Sequence, residues 1–119
     1  MKLINLKDIS SEPVSHDPEI LKQVMIGAGA IPNLSMFSKA TIKAGQSVSQ
    51  HRHDNIYEIL FFISGKGEAV GDGNRIKIMP NQCLVIEPRE THSVPAVSVD
   101  IELVYFGIHK QGENDRDQS

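Results

Sequence analysis

Residues 45–65, GQSVSQHRHDNIYEILFFISG, put a carboxylate in the middle of an apolar run. Glu58 stands within Ile56-Tyr57-Glu58-Ile59-Leu60-Phe61-Phe62-Ile63. A strand apolar on both faces is buried on both faces. A buried carboxylate is costly unless it is paired or bound to a metal. Candidate partners stand just upstream. His51 and His53 are two residues apart, and on a strand such side chains share a face. Glu58 follows His53 by an odd number of residues, so a straight strand would turn it away. Asp54-Asn55 supplies a turn, and the strand carrying Glu58 is then predicted to lie beside the strand carrying the histidines. Taken singly, a strand histidine is more often a surface or satisfied core residue, and a glutamate is more often solvated. The apolar setting of Glu58 favours the other reading: imidazoles and a carboxylate gathered around one divalent ion of Mn, Fe, Co, Ni, Cu or Zn. His92, about a third of the chain further on, is the fourth candidate.

These residues carry a resemblance. Gly45-x5-His51-x-His53-x4-Glu58-x6-Gly65 is similar to the first signature motif of the cupin superfamily at every fixed position. The second cupin motif, Gly-x5-Pro-x-Gly-x2-His-x3-Asn, is degenerate here. Laid on His92, it meets Asn81, Glu87, Arg89 and Ala96 at its other fixed positions, with Pro88 one place late. The resemblance implies an all-β fold, a double-stranded β-helix or jelly-roll barrel. It also implies one divalent transition metal per chain on His51, His53, Glu58 and His92. As a domain plan it implies an N-terminal arm with strands over 1–30, packed on the barrel or a partner subunit, and a cupin barrel over 31–109.

The rest of the chain suits that plan. At 119 residues it is one domain with room for a core. Leu34 to Ile42 alternates as a half-buried strand, with Leu34, Met36, Ser38, Ala40 and Ile42 on one face. The piece from Leu3 to Leu6 reads as strand-like, and Leu21 to Ile26 as a further strand. Asp72-Gly73-Asn74 signals a hairpin between Glu68–Gly71 and Arg75–Met79. Short strands follow over Cys83–Ile86 and His92–Val94, and a long one over Val99–Ile108. Many short strands between turn signals indicate a sandwich or barrel. Cys83 reads as a small core residue. Glu87, Arg89 and Glu90 read as a solvated loop before His92. His16 and His109 read as solvated, and the polar stretch 110–119 as a disordered tail.

Composition narrows the partners. A net charge of −3, a pI near 5.9 and the lack of a basic run give no footing for nucleic acid. No segment has the length of a membrane span. One cysteine and an N-terminus without an apolar signal core fit a cytoplasmic protein. Hydrophobic content is modest at 39%, and the strand 56–63 is apolar on both faces. A homodimer that covers one of those faces is expected.

Three imidazoles and a carboxylate leave two positions open on a six-coordinate ion, as in catalytic and not closed structural sites. Leu60 and Phe62 should make the cavity small and mostly apolar. Among the functions the resemblance implies, a metal-dependent oxidoreductase of dioxygenase type on a small, largely apolar or enolic substrate fits best. A non-catalytic small-molecule binding or sensor protein is the alternative, and a sugar isomerase or epimerase is a weaker one.

Overall fold

The computed structural model describes residues 1–110, so the expected tail over 110–119 lies outside the described residues apart from Lys110. Ten strands follow one short 3-10 turn, Leu6–Asp8. They are β1 (Glu12–Pro13), β2 (Leu21–Ile26), β3 (Leu34–Ile42), β4 (Val48–His51), β5 (Ile56–Ser64), β6 (Gly67–Gly71), β7 (Asn74–Ile78), β8 (Cys83–Ile86), β9 (His92–Val94) and β10 (Ile101–His109). A six-stranded sheet runs β1-β2-β3-β10-β5-β8, and a four-stranded sheet runs β4-β9-β6-β7. Every pairing is antiparallel. The expected all-β jelly roll is the observed fold.

Alternation decides the inside. On β3, Met36, Ser38, Ala40 and Ile42 are buried, and on β10 Ile101, Leu103, Tyr105 and Gly107 are buried. On β5 the inward row is Ile56, Glu58, Leu60 and Phe62, against Tyr57, Phe61 and Ile63 outside. Ala40, Ile42, Phe62, Leu103 and Tyr105 join Ala69 and Ile78 of the smaller sheet in one core. Ile20 and Val97, from flanking loops, complete it.

Three expectations change. The segment from Leu3 to Leu6 forms no strand and runs into the 3-10 turn, where Gln23 Nε2 donates to the carbonyls of Leu6 and Ile9 at 2.9 Å. Cys83 is exposed, because in register it stands opposite Phe61 on the outer face of the sheet. The hairpin is tighter than the sequence suggested. Asn74 pairs with Gly71, leaving only Asp72 (φ 46) and Gly73 (φ 83) as the turn. Both lie in the left-handed region that a two-residue type I′ turn requires.

Candidate metal centre

The site lies between the two sheets. β4 ends at His51, and His53 stands in the loop that leads to β5. That loop crosses from the smaller sheet to the larger one. The strand carrying Glu58 therefore faces β4 across the interior and does not pair with it, contrary to the expectation from the turn at Asp54-Asn55. The partner of β4 is β9, with His51 directly opposite His92. Parity within β4 changes as well. Val48 and His51 are three apart yet both line the cavity, because the β4–β9 register shifts between them. A bulge of this kind re-aims a side chain beside a site.

The result brings all four sequence candidates together. His51, His53, Glu58 and His92 each present one ligand atom, and these atoms lie within 4.8 Å of one another. His53 Nε2 is 3.1 Å from one Glu58 carboxylate oxygen, and His92 Nε2 is 3.9 Å from the other. His53, Glu58 and His92 are buried, and His51 is half-buried. Backbone carbonyls orient two of the rings. His51 Nδ1 is 2.9 Å from the Ser49 carbonyl, and His92 Nδ1 is 3.1 Å from the Glu90 carbonyl. A carbonyl can only accept, so each Nδ1 carries the proton and each Nε2 is left as a lone-pair donor. His92 Nε2 is buried without a hydrogen-bond partner. Burial, ahead of the neighbouring imidazoles, lowers the pKa of His51 and favours the neutral ring. Neutral imidazoles, a buried carboxylate and an orphaned Nε2 are a donor set that fits a divalent transition metal.

The cavity beside the cluster measures about 80 Å³. Its walls include Val48, Ile42, Leu60, Phe62, Leu84 and Leu103, which makes it small and mostly apolar as expected.

Residues 38–108 match the cupin domain description. The chain belongs to the cupin family. No curated protein matches it. Among solved structures it is similar to a predicted oxalate decarboxylase from Thermotoga maritima, at 19% identity and a TM-score of 0.81, covering 91% of this chain and 99% of that one. It is also similar to the ectoine synthase of P. lautus, at 16% identity and a TM-score of 0.77, over 92% and 79% of the two chains. A third similar structure is KdgF from Halomonas sp., at 16% identity and a TM-score of 0.74, over 92% and 96%. At these identities the likeness is one of fold.

In this cupin the degenerate second motif keeps its backbone shape without its glycines. Asn81 (φ 68) and Arg89 (φ 72), at the two glycine positions, both adopt the left-handed conformation. The Arg89 N–H donates to the His53 carbonyl at 2.7 Å, which ties the loop before His92 to the loop bearing His53. Glu87 and Arg89 are exposed as expected, while Glu90 is half-buried. Its side chain accepts from the Glu87 N–H at 2.7 Å and its carbonyl holds His92.

His16 is where the sequence reading fell short. It is exposed, as expected, but it lies on the site. Its ring stacks on His51 with centroids 4.7 Å apart and meets His53 edge-on at 5.9 Å. Asp17 fixes it there: this buried carboxylate accepts the Ser49 N–H on both oxygens at 3.1 Å. No spacing rule links residue 16 to residue 51; only the docking of the arm on β4 does. His109 lies outside the cluster, at the end of β10.

Proposed function

We propose that His51, His53, Glu58 and His92 hold one divalent transition metal, and that the protein is an oxidoreductase of dioxygenase type acting on a small, largely apolar or enolic substrate. The observation that supports this most is the pairing of a four-donor cluster with an otherwise apolar cavity. When bound, the ion would polarise a substrate's oxygens and activate dioxygen. The protein's own part is to keep the three imidazoles neutral, to exclude bulk water with Leu60, Phe62 and Leu103, and to narrow the mouth with His16. The cavity volume bounds the substrate. At about 80 Å³ it is well below the ~150 Å³ that encloses benzene in an engineered protein cavity. Small diketones and thiols suit it better than flavonols.

A binding or sensor role without turnover is the second reading. It is favoured by the shortage of acid–base groups: outside the cluster the ionisable wall residues are His16, Asp17 and Tyr105, and Asp17 is engaged by Ser49. Oxygen uptake by protein loaded separately with Fe, Mn and Ni, across diketones, thiols, catechols and flavonols, separates the two. Consumption of oxygen with a diketone or thiol is the expected result. Tight binding with no uptake for any compound would transfer the protein to the second reading.

The partner proposed for the outer sheet face is a second copy of the chain. Tyr57, Phe61, Ile63, Val85 and Ile108 are each 39% exposed or more on that face. Phe61 stands in register with Val104 and Cys83, so the apolar surface is continuous across three strands. Such a patch marks an interaction site, and two-fold pairing is the commonest way to cover one. Light scattering should return twice the 13.1 kDa chain mass for the wild type and a monomer for Phe61→Lys. A wild-type monomer at micromolar concentration would reject the dimer.

A further inference from the structure

Tyr105 is a wall residue of the cavity that the donor cluster does not use. It sits on the inward row of β10, one position on from Gly107, which stands opposite Glu58. Its side chain is 6% exposed, and among the described residues its hydroxyl has no hydrogen-bond partner. Its cross-strand partner on β3 is Ser38, which is fully buried and whose hydroxyl also has no partner. Two adjacent hydroxyls in an apolar core, both unmet, are costly to keep. Phenylalanine and alanine would fill the same space without that cost. Buried polar groups are otherwise met by protein, water or ligand.

The phenol is suited to donate. Burial, followed by the Glu58 carboxylate, raises its pKa well above the ordinary tyrosine value, and Ser38 beside it offsets this in part. It therefore keeps its proton at any working pH and offers an O–H into the cavity.

We propose that Tyr105, with Ser38 beside it, anchors the polar end of the ligand. The cavity then selects a small bifunctional molecule, with chelating oxygens at one end and a carbonyl or similar acceptor a short apolar span away. This rests on the metal reading for the chelating end alone. An apolar ligand would leave both hydroxyls unmet. A ligand with an acceptor at that distance gains a buried hydrogen bond, which separates it from its apolar analogue.

The test uses the full chain loaded with cobalt, whose visible absorption reports chelation. Two probes are titrated: butanohydroxamate, and 3-oxobutanohydroxamate, which adds one carbonyl. The wild type should bind the oxo compound more tightly. Tyr105→Phe should weaken the oxo compound about tenfold, the worth of one buried hydrogen bond, and leave butanohydroxamate within about twofold. Ser38→Ala should show the same pattern more weakly. Cobalt content should not change, and the melting temperature of Tyr105→Phe should hold or rise because an unmet hydroxyl is removed. Equal effects on both probes, or none, would overturn the inference. So would a lower melting temperature with unchanged probe selectivity, which would assign the hydroxyl to a structural water. No spectral change with butanohydroxamate in the wild type would overturn the metal reading, and this inference with it.

Discussion

His53→Ala should strip the protein of its metal while leaving it folded. His53 Nε2 approaches Glu58 at 3.1 Å, and His53 is 2% exposed, so no solvent-borne side chain can take its place. Loss of an outer-shell partner already weakens metal sites by about 10–100-fold. Loss of a direct donor should exceed that, taking metal content well below one per chain. The fold should survive, because the core built from β3, β5 and β10 makes little use of this ring, and apolar burial is the dominant stabilising term. A penalty of about 1–3 kcal/mol is expected where Glu58 loses a buried partner. Metal analysis after purification without chelators, with circular dichroism on the same sample, checks both halves. Unchanged metal content would remove His53 from the site. His16→Ala should leave metal content unchanged, because His16 stacks on a donor ring and is not among the four gathered donors. Equal loss there would show that the wrong histidines had been chosen.

The same site sets the sign of the pH response. Metal binding requires neutral imidazoles, so protons compete with the metal. Burial lowers the pKa of His51 and so extends its neutral form to more acid solution. Metal content should hold at neutral pH and fall only below the ordinary imidazole range. Loss on the alkaline side of neutrality would contradict a ligand set of this kind.

Gly65→Ala should be the most damaging small substitution in the chain. A β-carbon there would lie 2.2 Å from the Asp100 carbonyl oxygen and 2.8 Å from the Ile101 Cα. Both contacts are with backbone, which cannot rotate aside. The residue also has φ +89, where a side chain is strained even in open space. The backbone conformation alone costs about 1–2 kcal/mol, and the clash comes on top. A loss of about 3 kcal/mol or more is expected, near the upper end for point substitutions. That corresponds to a fall in melting temperature of roughly 10 °C for a domain of this size. Gly45→Ala is the control. It has φ +91, but nothing lies within 4 Å of the place its new methyl would take, so it should lose only the conformational part. Equal losses at both positions would mean that the Asp100 contact relaxes freely.

Sequence alone was enough for the inward rows of β3, β5 and β10, because alternation is a local property of an extended chain. It was enough for the four donors, because a carboxylate in an apolar run needs a cation and the histidines stood at motif spacing. The tight turn at Asp72-Gly73 was legible to within a residue for the same local reason. Which strands pair was not legible. Pairing joins residues far apart in sequence, and a turn such as 52–55 can continue one sheet or cross to another. Only the tertiary structure put β4 and β5 in different sheets, with the donor cluster between them. It alone shifted the β4–β9 register so that Val48 and His51 share the cavity, turned Cys83 outward against Phe61, and laid the arm so that His16 covers His51. It alone set the Tyr105 and Ser38 hydroxyls side by side without partners, through a β3–β10 pairing that spans most of the chain. Local spacing chose the donors of this cupin, and long-range pairing chose what surrounds them.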